Sequence, residues 1–181
     1  KIAEALIEDF YDTEVGGFYM APKNREHLIF NPKPTMDVTS GPGNAIASSA
    51  LNKLGLILGE SQFQDAALNT LRWARTIIEY NPASHCAFMT SLFETSRIKY
   101  VVVFRGPDEE RRKLLMTCHG AIFESCIFLE IPYGELKTLP AYLPKIEPSD
   151  AMSISKAYVF DGTTCSPALH NKDEILNYLG T

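Results

Sequence analysis

From Ser61 to Tyr80, the residues Phe63, Ala66, Ala67, Thr70, Leu71, Ala74, Ile77 and Ile78 keep i, i+3, i+4, i+7 spacing without a fault. That commits the stretch to an amphipathic helix with one buried face. Such a helix needs apolar neighbours, and two flanking segments offer them. One covers roughly 44–58, with Ala47, Ala50, Leu51, Leu54, Ile57 and Leu58 inward and Gly59 as a left-handed stop. The other runs from about Pro82 to Ser96, with Met89, Leu92, Phe93 and Ser96 inward and Pro82 in the first turn. Ser61 with Gln64 makes a capping-box start for the middle helix. Short links between the three predict antiparallel neighbours.

Ahead of them, residues 1–12 form a helical end with Ile2, Ala5, Leu6 and Phe10 on one stripe, broken at Gly16-Gly17. Phe18-Tyr19-Met20 and Leu28-Ile29-Phe30 flank a polar turn, Ala21 to Glu26, and predict a short β-hairpin. Asn31-Pro32-Lys33-Pro34 is extended, because each proline disfavours helix in the residue before it. Asp37 to Gly43 is a loop.

At Ile98 the pattern changes. Tyr100 to Phe104 and Cys126 to Ile131 are continuous apolar runs, as buried strands require, with a helix from Gly106-Pro107-Asp108 to about Gly120 between them. Strand, helix, strand predicts a βαβ unit with a right-handed crossover. Lys156 to Phe160 is a third strand, Asp161-Gly162 a turn, and Asp173 to Leu179 a closing helix. Residues 132–150 hold four prolines and are expected to be irregular. The expected organisation is a mainly α region over 1–97 and a small α/β module over 98–181.

The 181 residues, 45% apolar and 22% charged, suffice for a packed core without staples. A net charge of -5 without a basic stripe argues against nucleic-acid binding. The one cationic cluster, Arg111-Arg112-Lys113, follows Asp108-Glu109-Glu110 at helical spacing and is expected on a solvated helix face. Cys86, Cys118, Cys126 and Cys165 form no C-x-x-C pair, which leaves no zinc ribbon or thioredoxin-type redox centre and fits reduced, cytoplasmic thiols. There is no signal peptide and no apolar run of about 18 residues, so no membrane span is expected. Lys1-Ile2-Ala3-Glu4 begins directly in helical pattern, without a start Met or a cap, so a piece of a longer protein is expected.

An ordered series of short motifs carries a resemblance. It begins with Asp9-Phe10-Tyr11-Asp12, Gly16-Gly17-Phe18-Tyr19, Leu28-Ile29, Pro32-Lys33, Asp37 and Gly43-Asn44 before an Ala-rich helix. It continues with Val101-Val102-Val103, Ala141-Tyr142-Leu143-Pro144, Ala157-Tyr158-Val159 and Thr164-Cys165-Ser166-Pro167. Over nearly the whole chain, this order resembles the C-terminal part of the YyaL-like, spermatogenesis-associated family of thioredoxin-domain-containing proteins. The resemblance implies part of an (α/α) toroid, six-hairpin glycosidase-like, followed by the βαβ-containing module. It also implies absent partners within the parent, namely an N-terminal thioredoxin-like domain and the remaining toroid segments. Apolar helix faces left uncovered would then self-associate. The chain departs from the family where Asn31 replaces an Arg and Phe160 a Cys, and where Pro42 stands one place away from the family's loop proline. An anion clamp and a cysteine pair are thereby lost.

Within this frame the loop from Lys33 to Asn44 is the leading candidate site. Asp37 is the candidate catalytic acid or base, or a partner for a sugar hydroxyl. Lys33 is a candidate for holding an anion, and Gly43 and Asn44 for ligand contact at a helix start, where Gly41 and Gly43 let a backbone approach closely. Turns and caps use the same residue types, with Ser40 or Asn44 as N-cap and Asp37 in an Asx-turn. Asp12, Glu14 and Asp37 are the candidates for the two carboxylates a glycosidase would need, although a helix-end turn explains Asp12 and Glu14 equally well. His85-Cys86 and Cys118-His119 are adjacent pairs pointing about 100° apart, which suits packed thiols and surface imidazoles better than a nucleophile and its base. Cys165, in a loop after a strand, is the candidate redox thiol. Trp73 lies off the apolar stripe and suits a sugar stack or, more simply, a helix–helix contact. No cofactor and no metal are expected. Two functions follow. One is a toroid binding a carbohydrate-like or other small polar molecule; the other is a non-catalytic scaffold accompanying the thioredoxin-like domain.

Overall fold

The structure, a computed structural model, describes residues 1–25, 28–38, 41–122, 124–131, 154–162 and 164–180. The expected irregular stretch 132–150, the motif 141–144 and the candidate cap Ser40 lie outside the described residues. The chain is a mixed α/β protein with six α-helices and one four-stranded mixed sheet among the described residues. It divides into two compact units, residues 1–55 with 60–96 and residues 56–59 with 97–181.

In the first unit, α1 (Ile2–Phe10), α2 (Gly43–Leu58), α3 (Ser61–Tyr80) and α4 (Cys86–Arg97) follow in order, with a 3-10 turn at Pro82–Ser84. Helix α3 buries Phe63, Ala66, Ala67, Thr70, Leu71 and Ala74, the stripe its spacing dictates. Its N-cap is Glu60, without a side-chain cap bond, so the capping box of Ser61 and Gln64 does not form.

Helix α2 buries the expected Leu51, and its Ile57 packs with Leu56 against buried sheet residues, but the rest of its buried face is small or polar. It buries Asn44, Ala45, Ser48, Leu51, Asn52 and Gly55, while Ala50 is exposed. Small side chains let α3 come close: Ser48 Oγ donates to Ala67 O at 3.3 Å, and a Cβ on Gly55 would lie 2.6 Å from Gln64 Cγ. Helix α4 inverts the expected face. Phe88 and Ser91 are buried, whereas Met89, Leu92 and Phe93 are 47%, 50% and 51% exposed. Polar contacts fix that rotation. Ser91 Oγ donates to Ser48 Oγ at 3.2 Å, and Glu94 accepts from Ser49 at 2.5 Å and from Lys53 at 2.8 Å. Apolar residues occupy much of the α4 circumference, so periodicity alone could not choose between its faces.

The expected hairpin is replaced by other pairings. Phe18 bridges Tyr11, and Met20 N donates to Pro32 O at 2.8 Å. The Asn31 amide brackets Ala21, accepting from its N–H at 3.1 Å and donating to its carbonyl at 2.9 Å. Leu28, Ile29 and Phe30 are exposed.

In the second unit, β1 (Tyr100–Arg105), α5 (Asp108–Ile122) and β2 (Cys126–Glu130) form the expected βαβ element, with Tyr100 opposite Cys126 in a parallel pair. Then come β3 (Lys156–Asp161), the short β4 (Thr164–Cys165) and α6 (Lys172–Leu179). The sheet order is β2-β1-β3-β4, with β3 antiparallel to both neighbours. Alternate residues split the core. Val102, Phe104, Ala157 and Val159 pack with Cys118, Leu115, Ile175 and Leu176 on the α5–α6 side. Val101, Val103, Tyr158 and Phe160 face the other way, onto Leu56 and Ile57. Helix α6 is closed by Asn171, whose side chain accepts from Glu174 N at 2.9 Å, and by Gly180 in the left-handed conformation. Arg111, expected on a solvated face, is instead buried. It donates to Gly106 O at 3.0 Å, to Asp108 at 2.7 Å and to Glu130 at 3.1 Å.

Candidate functional site

The segment after α1 and the start of α2 build one polar cluster. Asp12 closes α1 as an Asx-turn, its Oδ1 accepting from Glu14 N at 3.0 Å and Val15 N at 3.2 Å. Its Oδ2 accepts from the Tyr19 hydroxyl and from Lys33 Nζ, each at 2.8 Å. The same ammonium donates to Gly16 O at 2.8 Å and lies 5.2 Å and 4.6 Å from the ring centres of Tyr19 and Trp73. Lys33 is therefore paired within the chain, with Asp12.

Burial pushes the Asp12 carboxyl up. Lys33, the Tyr19 hydroxyl and the two turn N–H groups outweigh it and hold the group well below the usual carboxylate range. The Tyr19 hydroxyl is shifted up, because it donates to that carboxylate. A carboxylate bound in this way stays ionised at neutral pH and does not deliver a proton.

Gly16 and Gly17 allow the cluster to close on α3. Both have positive φ, and a Cβ on Gly17 would sit 2.6 Å from the Trp73 ring. Trp73 thus packs on a glycine turn and also against the buried cluster of Ala45, Leu71, Ala74 and Phe88 that joins α2, α3 and α4, so the expected helix–helix contact is among its uses.

Asn44 is buried in the first turn of α2 and is not an N-cap. Its Oδ1 accepts from Phe18 N at 2.6 Å, and its Nδ2 donates to Phe18 O at 2.9 Å and Pro34 O at 3.0 Å. A side-chain amide here completes the backbone pairing that the missing hairpin would have provided. Gly43 stands beside it, and a Cβ there would meet nothing within 4 Å.

A groove of about 660 Å³ runs over these residues. Its walls are mostly apolar, from Leu6, Phe18, Met20, Met36, Val38 and Pro42, and its polar edge comes from Tyr19, Lys33, Thr35 and Asn44. Lys33, Gly43 and Asn44 are thus brought together on one concave surface. Asp37 is not among the lining residues. It is exposed, and its carboxylate accepts from Ala87 N at 3.3 Å, in the first turn of α4, while Asp37 N donates to Ser84 O at 2.9 Å. Its position is that of a cap supplied by a distant loop.

The remaining candidates lie elsewhere. His85 is buried and not a surface imidazole, with Nδ1 2.7 Å from Asn81 O and Nε2 3.3 Å from Thr35 Oγ1, while its neighbour Cys86 is exposed. Cys118 is a packed thiol and His119 is exposed. Cys165 is exposed on β4, its thiol donating to Ser166 O at 3.3 Å, and burial pushes its pKa up, which favours the thiol over the thiolate. Among the described residues no group of three or more His, Cys, Asp or Glu is placed to hold a metal ion, and no helix is long and apolar enough to cross a membrane.

Tyr19 and Trp73 complete a cluster whose members the sequence did not group. The signal was available in Gly16-Gly17, since paired glycines at a turn mark a close approach of backbone to a bulky partner. Compared with known proteins, the chain matches no family model, no curated protein and no solved structure.

Proposed function

We propose that this chain is a binding module whose groove beside Lys33, Gly43 and Asn44 takes a small molecule with an apolar face and a few hydroxyl or carbonyl groups, a carbohydrate-like ligand among them. The observation that carries the reading is the convergence of those three residues on one groove of a size that suits small ligands. The ordered motif series supports it further, because what its resemblance implies is a helical toroid within a larger cytoplasmic protein that carries a thioredoxin-like domain.

The engaged state of the charges favours binding without turnover. Lys33 is neutralised by Asp12, and Asp37 is spent on the start of α4. The same fact supports the second reading, a scaffold that positions the thioredoxin-like domain.

Thermal unfolding in the presence of neutral saccharides and of sugar phosphates separates the possibilities. Neutral saccharides are expected to stabilise the chain, by roughly 2.7 kcal/mol at a hundredfold excess over Kd. Sugar phosphates should do no better, and Asp37→Ala should leave the effect in place. Stabilisation by phosphates alone, lost in Lys33→Ala, or turnover of a sugar abolished by Asp37→Ala, would overturn the reading. No stabilisation by any compound would favour the scaffold.

A further inference from the structure

Hydrogen-bond protons on the polar edge of the groove are almost all in use. Tyr19 gives its hydroxyl proton to Asp12, at 2.8 Å. Asn44 gives both amide protons to Phe18 O and Pro34 O. The Lys33 ammonium gives two of its three to Asp12 and Gly16 O and keeps one. Thr35 is the remaining member of that edge, and its hydroxyl is oriented by His85.

His85 is buried between the end of α3 and the start of α4. Its Nδ1 lies 2.7 Å from Asn81 O, and a carbonyl oxygen only accepts, so Nδ1 carries the proton. In a neutral imidazole the other nitrogen is then an acceptor. Nε2 stands 3.3 Å from Thr35 Oγ1, so the Thr35 hydroxyl donates to it and keeps only lone pairs for a ligand. The loop is held there by Asp37, whose N–H donates to Ser84 O at 2.9 Å and whose carboxylate accepts from Ala87 N at 3.3 Å.

We infer that His85 is a positioning residue that sets the ligand class of the groove: it holds Thr35 as an acceptor beside Tyr19, so that edge selects a ligand presenting hydroxyl donors. The inference rests on the ligand reading and narrows it to polyols. A hydroxyl suits the edge, because it donates to Tyr19 or Thr35 and accepts the one N–H left on Lys33. A carbonyl, ether or carboxylate oxygen there would face lone pairs and leave hydrogen bonds unmade.

Two measurements test this, the first without a ligand. Long-range proton–nitrogen NMR correlations at about pH 8, above the imidazole range, should show His85 protonated at Nδ1 and bare at Nε2. The reverse tautomer would overturn the inference and leave the ligand reading untouched. The second compares glucose, galactose and mannose with their single-position deoxyfluoro derivatives by isothermal titration calorimetry. Fluorine keeps roughly the size of a hydroxyl and removes its proton. At one or two positions the exchange should weaken binding by about tenfold. That ratio should fall to within about threefold in Thr35→Val, which removes the acceptor, and in His85→Phe, which frees the Thr35 proton. Thr35→Val carries the comparison if His85→Phe does not fold. A merely structural His85 would weaken sugar and fluoro-sugar alike; an unchanged ratio in the variants would therefore overturn the inference, as would fluorine tolerated at every position. Binding of none of the three sugars would sink the ligand reading and this inference together.

Discussion

Lys33 and Asp12 meet at 2.8 Å with side chains only 14% and 11% exposed, and two aromatic rings cover the ammonium. A pair so placed contributes little by existing and much by not being broken, since removing either partner strands the other charge out of water. Asp12→Asn is expected to lower unfolding free energy by about 3 kcal/mol, measured by urea denaturation at neutral pH. Asp12→Asn combined with Lys33→Met should lose less than the sum of the single changes. Additive losses would show that the pair is not coupled.

The same pair sets an acid sensitivity. Unfolded, the Asp12 carboxyl takes a proton near its ordinary value of 3.8; folded, it does so only at lower pH. Its contribution is complete above about pH 5 and drains as pH falls through 3.8 toward the folded value. Urea midpoints of the unmodified chain and Asp12→Asn should differ by a constant amount between neutral pH and about pH 5, then converge as the solution is acidified further. A gap that widens on acidification would contradict the assignment.

Gly17→Ala forces a methyl into the Trp73 ring at a positive φ. A loss of about 3 kcal/mol is expected, from overpacking and backbone strain together. Trp73 is the chain's one tryptophan, so its emission reports the site directly. The variant should shift that emission toward a more solvated ring, and an unchanged spectrum at unchanged stability would refute the close approach.

Asn44→Ala removes three hydrogen bonds and leaves the Phe18 N–H without its acceptor. The expected loss is about 3 kcal/mol. Asn44→Asp should not rescue it, because a carboxylate accepts from Phe18 N but cannot donate to the Phe18 and Pro34 carbonyls. Amide exchange at Phe18, followed by NMR, should quicken in Asn44→Ala, where the acceptor is lost.

Cys165 tests the redox expectation. With its pKa raised by burial, its alkylation by iodoacetamide should be slow at neutral pH and still rising above pH 9.0, the ordinary thiol value. Rapid labelling at neutral pH, tracked by peptide mass spectrometry, would reveal a thiolate.

The parts of the fold legible in the sequence are those where one physical demand outweighs the others. Helix α3 has a single apolar stripe, and Tyr100 to Phe104 has no polar residue to place in water, so the helix and the central strand follow directly. Helix α4 has apolar residues around much of its girth, and its rotation was decided by Ser91, Ser49, Lys53 and Glu94, whose contacts lie more than forty positions away in the chain. The short strand β4 has two residues, too few for any alternation to register. At the candidate site the sequence supplied the loop but not its economy. Lys33, Asn44 and Asp37 are residue types that bind ligands or complete a fold. Which use wins depends on where Asp12, Phe18 and Ala87 arrive, and periodicity is silent on that.

The Asn44 amide that stands in for a strand partner also orders events in time. It engages Phe18 and Pro34, 26 and 10 residues earlier in the chain. The Asn44 contacts in the first turn of α2 therefore form only together with the placing of Phe18 and Pro34, and closing such a loop costs entropy before non-local contacts repay it. Folding of this unit should thus wait on a compact loop rather than on its long helices, and truncating Asn44 should slow refolding as well as hasten unfolding.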